Sequence, residues 1–339
     1  MSKFINKVLT IPDEEYRQIP AFSYSLLKSL DDDGPRAISN PKKLSGEALV
    51  FGSLVDMMLT APEHLDEKFY NHPITAPTAS LLQLADALLL DAIVMDLPYE
   101  EITDDDVIVN KIGALKLWTN IVDTTKLKAK YDTDIFWDYI RESIAAKGKI
   151  IISQETLDAA THCANVLLTH EFTKEFFTER EGIEILKQAS ILYTFKGIKG
   201  KARIDLLVID HNTKTIHVFD IKTGAELPSK FEISFYKYKY YLQVISYLLA
   251  VQSVCETNEE FKDYKIDTFK FLYISKKLSD VPVIWNVPEK LLNNFMDGWD
   301  DNTGFEELMR NYQYVVETGN YNCERKVMEN KGLLNITLK

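Results

Sequence analysis

The pattern of apolar positions changes once, at Gly182. Before it, apolar residues recur mostly at helical spacing; after it, they form short β-branched and aromatic runs separated by turn residues. Residues 1–70 read as helical pieces broken by Asp31-Asp-Asp-Gly-Pro35, with Ser23 placed to cap a helix through Ser25–Leu30. Leu49–Leu59 is apolar all round and predicts a buried helix ending before Pro62. Pro73 and Pro77 mark an irregular stretch. Leu81–Leu97 then has helical spacing, with Asp86, Asp91 and Asp96 facing water. Asp104–Asp106 reads as a loop or as the acidic start of another helix. Ser153 is a candidate N-cap for a helix reaching Leu168.

Beyond Gly182 the predicted strands are Ile183–Leu186, Ile191–Phe195, Ala202–Ile209 and Thr215–Ile221. After Pro228 an aromatic-rich helix is expected from Ser234 to Val251, then a strand over Thr268–Ile274 and C-terminal helices. This order predicts an α/β fold with helices packed on a sheet. The expected organisation is a mainly helical region over 1–150 and an α/β core over 151–339, forming one compact unit.

Composition narrows the class. With 339 residues, 46% hydrophobic and 27% charged, the chain is ordinary globular protein, not a disordered or fibrous one. Its three cysteines, Cys163, Cys255 and Cys323, cannot form a disulfide framework, an iron–sulfur cluster or a four-thiolate zinc site. The N-terminus shows no apolar signal-peptide core, and aspartates interrupt the most apolar segment, Leu81–Leu97, which falls short of a membrane span. A cytoplasmic protein is the expectation. The six histidines show no metal-ligand spacing, and Gly197-Ile-Lys-Gly-Lys201 lacks the Walker A length, so no ATP site is expected. The net charge of −12 argues against a general nucleic-acid coat. Yet Ile183–Ala250 holds ten basic and six acidic residues, a local +4 in a chain that is otherwise −16.

That segment also holds the chemistry. Two strands flank a polar turn, Asp210–Lys214. With the turn centred between Asn212 and Thr213, residues whose numbers sum to 425 face each other, which pairs Asp205 with Asp220. Two carboxylates about 4 Å apart repel by of order 4 kcal/mol at an effective dielectric of 20. A proton, a cationic neighbour or a metal ion must offset this. Lys222 lies two residues beyond Asp220 on the same strand face. Such a set of carboxylates suits Mg²⁺, which takes one or two and completes its shell with water and phosphate. An Asp-x-Lys tripeptide alone is usually structural; Asp205 across the turn and the Gly224 that follows raise its weight.

These residues resemble a family. Asp205 followed by Asp220-Ile-Lys222-Thr-Gly is similar to the PD-(D/E)XK nuclease signature, in the form of the RecB-like and exonuclease VIII (RecE-like) branch. Gln243-Val-Ile-Ser-Tyr247 resembles its Gln-x-x-x-Tyr helix motif, whose spacing sets both residues on one face. Gly52-Ser-Leu-Val-Asp56 resembles its Gly-x-x-x-His motif, with Asp where the family has a histidine ligand. Phe22–Lys28, Gly148–Leu157, Phe271–Ile274, Gly298 and Glu317–Tyr321 extend the likeness to about two thirds of the chain, while 71–145 match poorly.

The resemblance implies a PD-(D/E)XK restriction-endonuclease-like core, a mixed central sheet flanked by helices, with the N-terminal helices contributing to the active-site wall. It implies a Mg²⁺-dependent deoxyribonuclease, Mn²⁺ being able to substitute, most simply an exonuclease acting on DNA ends in recombination or repair in a bacterium or phage-infected cell. Asp205 and Asp220 would hold the metal, helped by the carbonyl of Ile221, by Asp56 and by Glu184, the best-placed acid before the core strands. Lys222 would position and activate water, and Gln243 and Tyr247 would orient the site or a DNA strand. Lys196, Lys199, Lys201, Arg203, Lys237 and Lys239 are candidate DNA contacts, the last two interleaved with Phe235, Tyr236, Tyr238, Tyr240 and Tyr241. Each of these cations alone is more often a surface charge, and the aromatics equally suit a buried helix face. The expected partners are DNA, a single-strand annealing protein and further copies of the chain in a ring. The rival is a DNA-binding scaffold that keeps the fold without catalysis, favoured by Asp56 and opposed by the rest of the set.

Overall fold

The computed structural model describes residues 8–334, apart from 10, 12, 42–45, 72–76, 96–98, 147 and 278–280. Pro73, Asp96 and Leu97 therefore lie outside the described residues. The chain forms two compact units, one joining Met1–Ala61 to Thr161–Lys339 and the other made of Pro62–Ala160. The division falls there and not near residue 150, so the first 61 residues go with the sheet.

The unit Pro62–Ala160 is mainly helical. Its helices include Ala79–Met95, Asp105–Ala114, Thr124–Tyr131 and Asp134–Ala145. They pack around Leu84, Leu88, Ile108, Ile112, Phe136 and Ile140. The aspartates of the long apolar segment are engaged as expected for a polar face: Asp91 pairs with Lys111, and Asp86 accepts from the Tyr139 hydroxyl at 3.1 Å. Of the two readings of the acidic run, the helix start holds, since the Asp104 side chain accepts from the backbone N–H groups of Asp106 and Val107.

The other unit is built on a sheet. Its elements include β1 (Val8–Leu9), α1 (Tyr24–Asp33), α2 (Glu47–Thr60), β2 (Ile183–Phe195), β3 (Ile198–Asp210), β4 (Thr215–Gly224), α3 (Phe231–Lys237), α4 (Tyr240–Thr257), β5 (Lys265–Ile266), β6 (Lys270–Ser275), β7 (Val283–Asn286) and α5 (Phe305–Thr318). Among the described residues the sheet has seven strands in the order β1-β2-β3-β4-β6-β7, with β5 also pairing β4. β4 runs parallel to β6 and the other pairs on the main path are antiparallel, so the sheet is mixed. The parallel pair needs a long crossover, and α3 and α4 supply it.

Several local expectations are met by capping and breaking residues. Ser23 caps α1 by accepting from the Leu26 N–H, and Gly34 ends it at φ 76°. α2 stops at Thr60, ahead of Pro62. The aromatic-rich helix is two helices, because Lys239 takes a left-handed φ of 55° between α3 and α4. Asp31 and Asp32, which read as a break between helices, instead sit in the last turn of α1 and bind Lys239.

The hairpin register is the expected one. Leu206–Asp210 pair with Phe219–Thr215, and each pair of numbers sums to 425. The ladder ends one step before Asp205 and Asp220. The two short strands expected before it are one long strand, β2. β2 pairs with β3 from Ile183–Asp210 to Phe195–Ile198, but the ladder skips the pair Gln188–Asp205. Gln188 has φ 50°, and the residues packed in the main core switch parity across this point: Leu186 then Ala189 on β2, Ile204 then Leu207 on β3. Both strands therefore reverse their core faces at one paired position, which frees two side chains to project together.

Candidate active site

Asp220 lies near the C-terminal end of β4 and is 1% exposed. Both its oxygens are engaged: Lys222 pairs with Oδ2, and the Gln243 amide nitrogen donates to Oδ1. Lys222 shares the strand face as alternation requires, and its ammonium lies 4.8 Å from the centroid of the Tyr240 ring. Burial works against the charge of Lys222, but the combined pull of Asp220, Tyr24, Tyr240 and Asp205 outweighs it, so the pKa is raised. Gln243 projects from α4, which packs on β2 and β3. Its carbonyl oxygen Oε1 is buried and has no hydrogen-bond partner. Such a group is uncommon in a folded protein and marks a place where a ligand or water belongs.

Asp205 sits where the hairpin ladder has ended. Its Oδ2 accepts from the backbone N–H of Ile221 at 2.9 Å, in effect replacing a ladder bond. Its Oδ1 lies 3.5 Å from the amide nitrogen of Gln188. The same nitrogen donates to Asp56 Oδ1 at 2.9 Å and Oδ2 at 3.0 Å. Burial first, then the nearby charges of Asp220 and Asp56, push the Asp205 carboxyl well above its usual range. Asp56 is on α2, which packs over β4. A Cβ on Gly52 would lie 3.3 Å from Thr223 Oγ1, so glycine keeps this approach open. Asp56 follows four residues later on the same helix face, which explains the Gly-x-x-x-Asp spacing.

Tyr247 is buried, one helical turn after Gln243. Its ring meets Tyr24 edge-on at 5.8 Å between centroids, and burial holds its hydroxyl well above the normal pKa. The Tyr24 hydroxyl is pushed up to about 12, mainly by burial, and feels Lys222, Asp220 and Asp205. Tyr24 and Gln188 are site residues that sequence motifs did not single out.

Other expected residues go elsewhere. Glu184 is four residues from Gln188 along β2, roughly 13 Å at strand rise, and its carboxylate lies 3.3 Å from His211. It is not brought to the carboxylates. Ile221 enters through its N–H. Lys201 is buried and donates to the carbonyls of Tyr16, Arg17 and Ile19 at 2.9–3.1 Å. Arg203 donates to Ser190 and to the Ile11 carbonyl, with its guanidinium 4.2 Å from the Tyr16 ring centroid. Both cations are spent on the N-terminal segment, not presented to a ligand. Lys239 is held by Asp31 and Asp32, and Lys196 pairs with Glu306. Lys199 and Lys237 are exposed, Lys237 over the ring of Tyr238. Of the aromatics near it, Phe235 and Tyr241 are buried, while Tyr236 and Tyr238 are exposed.

The donor set suits a hard divalent cation, though not as a finished cage. Among the described residues no three His, Cys, Asp or Glu side chains form a ready metal site. The carboxylates are engaged instead by Lys222 and Gln188. Their oxygen chemistry, the raised Asp205 and the partnerless Gln243 oxygen fit an ion that brings waters and phosphate as further ligands. The mixed sheet thus brings paired carboxylates and a lysine to one buried point, backed by a glutamine on a helix.

The family model for the PD-(D/E)XK nuclease superfamily matches residues 126–307, and the chain belongs to that superfamily. A search of curated proteins found no match. Among solved structures, the chain resembles a protein of Eubacterium rectale provisionally named an exonuclease. The identity is 13% and the TM-score 0.48, with 98% of this chain and 97% of that one covered. No helix among the described residues is long and apolar enough to cross a membrane.

Proposed function

We propose that the protein is a Mg²⁺-dependent deoxyribonuclease that hydrolyses phosphodiester bonds from DNA ends. The observation that carries this reading is the convergence of Asp205, Asp220, Lys222 and Gln243 at the point where the β3–β4 ladder stops. Asp205 and Asp220 would hold the cation, with Asp56 as a further carboxylate in place of the family's histidine. When bound, Mg²⁺ supplies Lewis-acid polarisation of a phosphoryl oxygen and lowers the pKa of a coordinated water.

The chain's own groups do the rest. Lys222, held charged by Asp220, keeps its proton near neutral pH. It therefore acts as a donor that orients water and stabilises the negative charge of in-line attack, and not as a general base. Gln243 fixes one oxygen of Asp220 and leaves its own carbonyl for a water or substrate hydroxyl. Tyr247 and Tyr24 wall the patch and exclude water from one side. Exposed Lys237 and Lys199 are the cations left for phosphate contact.

The test is digestion of linear, nicked and covalently closed DNA with Mg²⁺ and again with a chelator. Linear DNA should be degraded from its ends, closed circles should survive, and chelation should stop the reaction. Asp220→Asn and Lys222→Ala should each lower cleavage by about 10³-fold or more. Full activity in both variants would sink the site. DNA binding with no cleavage under any divalent cation would establish the scaffold reading instead. The same reading sets the enzyme in end resection beside a single-strand annealing protein, as a ring around its DNA; a monomeric mass in solution would remove the ring.

A further inference from the structure

Gln188 has no part in the proposed hydrolysis, yet its side chain sits between two of the acids. Three carboxylate oxygens from two acids approach its one amide nitrogen, at 2.9, 3.0 and 3.5 Å. An NH₂ group has two hydrogens, so the three acceptors share them. A nitrogen surrounded by carboxylate oxygens of Asp56 and Asp205 stands where a cation between those acids would stand. The backbone beneath it is left-handed, at φ 50°, and the β2–β3 ladder skips this residue and its partner Asp205. A glutamine in the middle of a strand keeps that conformation only when its surroundings hold it.

We propose that Gln188 is a positioning residue that acts as a neutral place-holder for the cation. It keeps Asp56 and Asp205 together while the site is empty and must swing aside when a divalent ion enters. The proposal rests on the nuclease reading of the site.

The chemistry of the amide explains the choice of residue. Asp56 and Asp205 repel, and a donor between them offsets the repulsion without adding charge. A lysine or arginine here would hold the acids as a permanent ion pair and block the ion. A glutamate would add a further negative charge to an already crowded patch. An amide can be displaced, but only by breaking two hydrogen bonds to charged acceptors. The cation affinity of the free protein is thereby set below what the bare carboxylates would give. Substrate phosphate supplies extra oxygen ligands and makes up the difference, so ion and DNA bind together.

The experiment measures Mn²⁺ binding to the full chain without DNA, by the loss of the free Mn²⁺ spin-resonance signal. Wild type is compared with Gln188→Ala and Gln188→Gly, with folding checked by circular dichroism. Glycine accommodates the left-handed backbone, so Gln188→Gly keeps the test usable if the alanine variant misfolds. Both variants should bind Mn²⁺ about tenfold more tightly than wild type, the release of roughly one charge-assisted hydrogen bond. Unchanged affinity overturns the place-holder, and weaker affinity overturns it in favour of Gln188 as a ligand. If wild type cleaves DNA while the variants show either result, the nuclease reading stands and only this inference falls. If neither wild type nor variants bind Mn²⁺ with or without DNA, the metal-site reading falls and takes the inference with it.

Discussion

Strand β3 uses charge in opposite ways on the two sides of Ile204. On the N-terminal side, its basic end, Lys201 and Arg203 are turned into their own chain, where backbone carbonyls and the Tyr16 ring satisfy them. On the C-terminal side, its acidic end, Asp205 receives an N–H from Ile221 and a distant amide from Gln188, beside two other carboxylates. The basic end is closed: its hydrogen bonds already go to the protein. The acidic end keeps unspent negative charge at a place that burial makes costly. Charge alone does not mark a functional group. What marks it is a charge whose partners within the fold are too weak to offset its burial.

The largest test of that contrast is Asp205→Asn. Cleavage should fall by about 10³-fold or more, as expected for removal of a metal-holding group. Thermal stability should hold or rise, because the amide removes repulsion with Asp220 and Asp56. A loss of both activity and stability would make Asp205 a structural residue like its neighbours. Next in size, Lys201→Ala should destabilise the fold by about 3 kcal/mol in chemical denaturation, since it strands three carbonyls at once. The folded fraction should cleave DNA at the wild-type rate. A stable variant with weakened DNA binding would reopen the basic end as a DNA contact.

Lys237→Ala should act in the reverse sense. Stability should stay within about 0.5 kcal/mol, and the salt dependence of DNA binding should lose roughly one unit of slope. The smallest effect is a pH trend. Burial first, then Arg17 and Arg203, lower the pKa of Lys201 below 10.5. The folded chain thus binds this proton less tightly than the unfolded chain does. Its penalty applies below the folded pKa and disappears as pH rises toward the unfolded value. Wild type should therefore gain stability relative to Lys201→Met as alkaline buffers approach that value, read from paired melts. A flat difference would mean that the ammonium is fully compensated where it lies.

Much of the acidic end was legible from residues alone. The Asp210–Lys214 turn fixed the hairpin register, and through it the meeting of Asp205 with Asp220 and Lys222. Helical spacing aligned Gln243 with the sheet and Gly52 with Asp56. Gln188 was hidden because it belongs to no motif and falls between two apolar runs that read as separate strands. A signal was present: Lys196-Gly197 forms a two-residue turn with φ 47° and 84°, and counting back from it pairs Gln188 with Asp205. Glu184 reads as an acid before the core strands, but it lies inside β2, whose length carries it away from the carboxylates. Lys201 and Arg203 read as DNA contacts because the sequence does not reveal that a segment near residue 16 folds over them. The boundary at 160 leaves no mark in the sequence, since it falls inside the helix Gln154–Thr169, and the one at 61 shows only as a helix end before Pro62.

The bridge between Phe22 and Gly200, and the pairing of Val8 with Ile191, have a consequence for biosynthesis. The first strand must wait for a partner made about 180 residues later. At roughly 5–20 residues per second, that delay is of order 10–40 s on the ribosome. Asp56 leaves the exit tunnel early, whereas Asp205 and Asp220 emerge late. The nascent chain thus cannot bring Asp56, Asp205 and Asp220 together until most of it has been translated.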